Sequence, residues 1–193
     1  MTPDQVTACL VTRGDVDMQP IMDSLIFDDI LVWDNSVEAD MKTAGRYYAI
    51  MEADSEVVYL QDDDVIVPAE TQRLLLEAYE PGVCVANYGH GDNPDGYDDM
   101  PLVHGGAVVD RDLPLEAIKR YLAVWPHDSD FLYEADFVAG ILYPAFKHLE
   151  LPMELRDVCF AGNRMCDQPW QRELKKKITD RARAIRDSAM VAA

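Results

Sequence analysis

The chain has 193 residues, 49% of them apolar, which suits one domain with a proper core. Acidic residues number 36 and basic ones 17, a net charge of −19, so most of the surface repels phosphate backbones. No apolar run approaches the ~20 residues of a membrane span, and the start, MTPDQVTACLVTRGD, has neither a basic n-region nor a cleavage signature, so a cytoplasmic location is expected.

The elements alternate. Val6–Thr12 is a short β-rich run that ends at Arg13-Gly14 and reads as a buried first strand. Met18–Leu25 has apolar residues at helical spacing. Asp29–Trp33 is a second strand, stopped by the turn-forming trio Asp34-Asn35-Ser36. Thr43–Glu52 reads as a helix and Glu56–Leu60 as a third strand, followed by Gln61-Asp62-Asp63-Asp64. Val65–Val67 continues extended to Pro68, which opens an amphipathic helix over Ala69–Tyr79. Val83–Asn87 is a fourth strand. This alternation predicts an open α/β sheet, parallel in its first half and flanked by helices.

The second half is less regular. Gly89–Met100 is a Gly-, Asp- and Pro-rich loop. Leu102–Val109 looks like a strand interrupted by Gly105-Gly106, a pair that either lets an acceptor approach the backbone or marks a bulge. Leu115–Val124 is a helix, and Phe131–Phe146 is an apolar stretch carrying Glu134 and Asp136. A charged helix follows from Pro169. Seven of the 17 cations lie within it: Arg172, Lys175, Lys176, Lys177, Arg181, Arg183 and Arg186. They form either a solvated face or a phosphate-binding one.

Cys9, Cys84, Cys159 and Cys166 form no CxxC pair and read as buried thiols. His90, His104, His127 and His148 have no ligand spacing. The chemistry is concentrated in Asp62-Asp63-Asp64. Three adjacent carboxylates repel one another unless a cation or solvent relieves them. The apolar runs Val57–Leu60 and Val65–Val67 on either side place the triplet inside the sheet, at a strand end, where α/β proteins bind ligands. A hard ion, Mg²⁺ or Mn²⁺, fits carboxylate oxygens and also holds a diphosphate.

The ordered set resembles the GT-A glycosyltransferases over roughly residues 5 to 140. It comprises a first strand ending at Thr12-Arg13, a second at Asp34-Asn35, a helix headed by Gly45-Arg46, and Asp62-Asp63-Asp64 as the DxD motif. The resemblance implies a metal-dependent transfer of a hexose or pentose from a nucleotide-sugar, such as a UDP-sugar, to an acceptor hydroxyl. It implies that Thr12 and Asp34 contact the nucleobase, that Arg13 belongs to the same nucleotide-binding set, that Arg46 supports the base or diphosphate, and that Asp63 reaches the ribose. Asp64 would bind the metal, with Asp62 beside or behind it. Inverting members use a carboxylate base, and Asp136 stands where the family carries its acidic pair. Here the pair is Glu134-x-Asp136 rather than adjacent, so Glu134 competes for the role. Arg164 could close over the diphosphate.

The implied layout is a single domain, with a nucleotide-sugar half at 1–100, an acceptor half at 101–168 and a charged helix at 169–193. The short chain also looks like compact phage glycosyltransferases, some of which modify hydroxymethylpyrimidines in DNA. The cationic helix makes DNA the leading acceptor, ahead of a protein or small glycan. Three alternatives fit less well. A haloacid dehalogenase-like phosphatase carries its Asp motif on the first strand. A sugar nucleotidyltransferase wants more glycine after that strand than Thr12-Arg13-Gly14-Asp15 offers. A calcium-binding interaction domain would use Asp92–Asp99, whose spacing is not that of an EF-hand.

Overall fold

A computed structural model describes residues 1–87, 99–156 and 168–192. Strand β1 (Val6–Thr12) is buried along all seven residues, because it lies in the interior of a sheet covered on both faces. Helix α1 (Gln19–Ser24) leads to β2 (Asp29–Asp34), and α2 (Gly45–Glu52) leads to β3 (Val57–Gln61). β4 (Val65–Ile66), α3 (Ala69–Ala78) and β5 (Cys84–Asn87) follow. The rest comprises β6 (Ala107–Asp110), α4 (Asp112–Val124), α5 (Ala135–Leu142), β7 (Phe146–Leu149), β8 (Glu154–Leu155) and α6 (Gln171–Ala192).

The main sheet has six strands in the order β2-β1-β3-β6-β5-β7. β2, β1 and β3 are parallel, as are β5 and β7, while β6 is antiparallel to both neighbours. The mostly parallel sheet flanked by helices matches the expected fold class. Alternate residues of each strand serve opposite faces. Cys9, Val58, Leu60 and Ala86 join Tyr47 and Ile50 of α2, Tyr121 of α4, Val138 and Ile141 of α5 and Ile178 of α6 in one core. Val6, Ala8, Val57, Tyr59 and Val85 meet Phe27, Leu75 and Leu76 on the other face. Cys9 and Cys84 are buried free thiols, Cys9 pushed up to about 12 by its burial. Cys159 and Cys166 lie outside the described residues, as does His90.

Three expectations shift. Val65–Val67 does not extend the main sheet: Val65 and Ile66 pair with β8 in a separate two-stranded sheet, so Asp62–Asp64 turns between two sheets. The strand expected over Leu102–Val109 begins only at Ala107. Gly106 holds φ +98°, and a Cβ there would stand 2.8 Å from Tyr59 Oη, while a Cβ on Gly105 would meet the Asn87 carbonyl oxygen at 2.8 Å. The glycine pair serves close packing at the mouth of β6. The helix expected from Thr43 opens as a 3-10 turn, Lys42–Ala44, before α2.

Candidate active site

The parallel strands β1, β2 and β3 all end on one side of the sheet. Thr12 is in register with Asp34, and Leu10 with Gln61, which brings Thr12, Asp34 and the triplet to one edge. Because β6 runs the other way, its start, with His104 and the glycine pair, comes to the same edge; Asp62 N–H donates to His104 O at 3.2 Å.

The β1 and β2 ends are tied together. Asn35 N–H donates to Thr12 O at 2.9 Å, and Gly14 N–H to Thr12 Oγ1 at 3.1 Å. Asp34 Oδ1 accepts from the Ser36 amide (2.8 Å) and hydroxyl (2.6 Å), which holds its carboxyl below the usual range. Asn35 pins the loop beyond: its Nδ2 donates to Lys42 O at 3.1 Å and its Oδ1 accepts from Met41 N–H at 2.8 Å. Arg13 pairs with Asp15 at 3.2 Å and lies close enough to Asp63 to favour its ionised form.

Within the triplet the three carboxylates have different surroundings. Asp62 Oδ1 is bound by Arg46 Nη2. The Asp63 carboxylate accepts from the Thr12 hydroxyl, yet its Oδ2 is buried with no hydrogen-bond partner among the described residues. Burial first, then Asp62, pushes Asp63 up to about 6 against the pull of Thr12 and Arg13. Asp64 is half-buried, and its carbonyl accepts from Arg156 N–H at 2.7 Å.

Arg46, expected at the ligand, is fully buried beneath the triplet. Its Nη2 also donates to Gln61 O at 3.2 Å, and its Nη1 stands 3.2 Å from Asp136 Oδ2 as an ion pair outside hydrogen-bond alignment. It therefore joins a strand end to the helix carrying the second acidic site. Burial works against its charge, but Asp136 and Asp62 outweigh that and hold the proton more firmly. Asp136 Oδ1 accepts from Tyr47 Oη at 2.8 Å. Burial raises the Asp136 carboxyl, Arg46 opposes this, Asp62 adds to it, and Tyr47 and His104 pull it back. Burial outweighs the Arg46 guanidinium, which also has to face Asp62, and so Asp136 stays raised beside a cation.

Glu134 is not part of this cluster. Its carboxyl points to α6, where Oε1 accepts from Gln171 Nε2 at 2.8 Å. Arg164 lies outside the described residues. Arg156 was not singled out from the sequence: its Nη1 donates to Asp17 O at 3.0 Å and to Asp63 O at 3.3 Å, beside the triplet. Only the pairing of β8 with β4 brings it there, so no local pattern announced it.

The donors fit a hard divalent cation. Asp63 carries a buried, unpartnered oxygen and a proton affinity raised first by burial and then by the neighbouring carboxylates, and a cation would relieve both. Among the described residues no three His, Cys, Asp or Glu side chains form a ready cage. Mg²⁺ in particular is commonly held by one or two carboxylates together with substrate phosphates.

No protein-family model and no curated protein matches the sequence. Solved structures do match. Glucosyl-3-phosphoglycerate synthase from Mycobacterium tuberculosis, solved with Mg²⁺ and UDP, superposes with a TM-score of 0.52 at 12% identity, covering 93% of this chain and 79% of that one. The same enzyme solved with Mn²⁺, UDP and phosphoglyceric acid gives 0.53 at 13% identity, covering 93% and 78%. The fold is the GT-A fold. None of the described helices is long and apolar enough to cross a membrane.

Proposed function

We propose that the protein is a glycosyltransferase that moves a sugar from a nucleotide-sugar donor, a UDP-sugar, to an acceptor hydroxyl with Mg²⁺ or Mn²⁺ at the triplet. The observation that carries this is the unpartnered Asp63 Oδ2 among three carboxylates at the ligand-binding end of a GT-A sheet. Support comes from neighbours of the same fold that were solved with UDP and either ion.

The residues divide the work as follows. Thr12 and Asp34 edge the nucleoside side, and Arg13 lies beside the phosphates. Asp64 would hold the cation together with Asp63, whose unpartnered oxygen suits it to this role rather than to the ribose contact expected from the sequence, and the bound ion would neutralise the charge left on the departing diphosphate. Asp62, bound by Arg46, stands behind them. Asp136, whose proton affinity burial raises, takes the acceptor's proton as the acceptor oxygen bonds to the anomeric carbon. The nucleoside diphosphate leaves with the electron pair of the broken bond, and the anomeric centre inverts. The test is release of a nucleoside diphosphate from a panel of sugar nucleotides: release that needs Mn²⁺ or Mg²⁺ supports the reading, and turnover of none of them defeats it.

The acceptor is proposed to be a hydroxyl compound other than DNA. A DNA acceptor rests on the cations of α6, and five of the seven are ion-paired within the chain. Lys176 meets Asp180 (2.5 Å), Lys177 meets Asp130 (2.5 Å), Arg181 meets Asp128 (2.6 Å), and Arg183 and Arg186 both hold Asp99 (2.9 Å). Lys175 lies 4.4 Å from the centre of the Phe137 ring. Neutralising Lys175, Lys176 and Lys177 together is expected to change DNA affinity less than about twofold and to leave its salt slope unaltered. A large loss with a flattened slope in a salt titration would return hydroxymethylpyrimidine DNA as the acceptor.

A further inference from the structure

Glu134 immediately precedes α5, and its side chain is fully buried. Its bond to Gln171 crosses from α5 to the first turn of α6, and Gln171 is itself buried. Oε2 is buried without a hydrogen-bond partner among the described residues. The charged groups facing it are Lys175 from α6, which favours ionisation, and Asp136 from α5, which opposes it. On the 3-10 segments alongside, Lys42 lies over the Tyr133 ring, and Asp130 is taken by Lys177. A carboxylate withdrawn from water needs several donors or a close cation, and one neutral amide does not suffice. Burial accordingly pushes Glu134 up to about 7.

Asp136 is the second residue of α5, so the placement of its carboxyl against Tyr47 and Arg46 depends on where that helix starts. One side of the start is held by Thr43, whose hydroxyl donates to Leu132 O at 3.1 Å and accepts from Ala135 N–H at 3.3 Å. The other side is held by Glu134. We propose that Glu134 is a positioning residue: as a neutral acid bonded to Gln171, it fixes the start of α5, and with it Asp136, against α6. The proposal rests on the reading of Asp136 as the base, and it makes the C-terminal helix part of the catalytic unit.

The protonation state has its own readout. Unfolded, Glu134 titrates near 4.5, and folded near 7. Between these values the folded state keeps a proton that the unfolded state has lost, so stability falls as pH rises and levels off above about 7. Other raised groups, Asp63 and Asp136 among them, add slopes of their own, so the difference from Glu134→Gln is the measure. The melting temperature of that variant, relative to the original, should rise by roughly 5 °C or more from pH 5 to pH 7.5. In donor turnover, Glu134→Ala should lower kcat about tenfold or more with the donor KM unchanged, and Glu134→Gln should restore it. A pH-independent difference in melting, or a Glu134→Gln variant as slow as Glu134→Ala, overturns the proposal. Full activity in Asp136→Asn would instead defeat the assignment of the base, a separate result, since the melting series reports on Glu134 itself.

Discussion

Replacing Arg46 with methionine is expected to lower the unfolding free energy by about 3 kcal/mol, the lower part of the range for breaking a buried ion pair. The guanidinium has no exposed surface and is shared by Asp62, Asp136 and the Gln61 carbonyl. Its loss leaves two carboxylates on either side of an apolar side chain. Asp136 is 16% exposed and bears most of the cost, while Asp62, 37% exposed, is partly screened by solvent. Adding Asp62→Asn and Asp136→Asn should recover part of the loss, because the stranded charges disappear with them. Chemical denaturation of the single and triple variants checks this. A loss under about 1 kcal/mol in the single variant would mean that both carboxylates are solvated without Arg46.

The second large effect is on turnover. Asp136→Asn should slow metal-dependent turnover of the donor by about 10²–10⁴-fold, the usual contribution of a positioned general base. Asparagine retains an oxygen for Tyr47 Oη, so the local frame survives. Nucleotide binding should change little, since Asp136 lies on α5 rather than at the β1 and β2 ends. Rate and nucleotide affinity measured on the same variant separate the two. An unchanged rate would move the proton transfer elsewhere.

Much of this fold was legible because its signals are local. The buried run Val6–Thr12, the stop at Asp34-Asn35-Ser36 and the proline opening α3 each lie within a few residues, and their elements formed close to the expected bounds. The reversed β6 could not be read, because nothing within Ala107–Asp110 states its direction; only its pairing with β3 and β5 does. The triplet stood out for its chemistry, but its partners come from afar. Arg46, expected to support the base or diphosphate, instead meets Asp62 sixteen residues on and Asp136 on α5. Gln171 reaches Glu134 across 37 residues, and Arg156 reaches Asp63 across 93. The charged run Arg172–Arg186 could not be resolved into a solvated or a phosphate-binding face for the same reason: its acidic partners Asp99, Asp128 and Asp130 are distant in sequence.

The central claim is that the triplet and the strand ends beside it bind a nucleotide diphosphate through a divalent ion. Thermal unfolding with UDP and UDP-sugars, with and without Mn²⁺, on the original chain and on Asp64→Ala, tests it most directly. At a ligand concentration about 100 times Kd the expected stabilisation is ~2.7 kcal/mol. For a chain of this size that is a rise of roughly 5–10 °C. The account predicts this rise for the original chain only with Mn²⁺ present, and none for Asp64→Ala. An equal rise in both proteins, or no rise with any nucleotide, would contradict it.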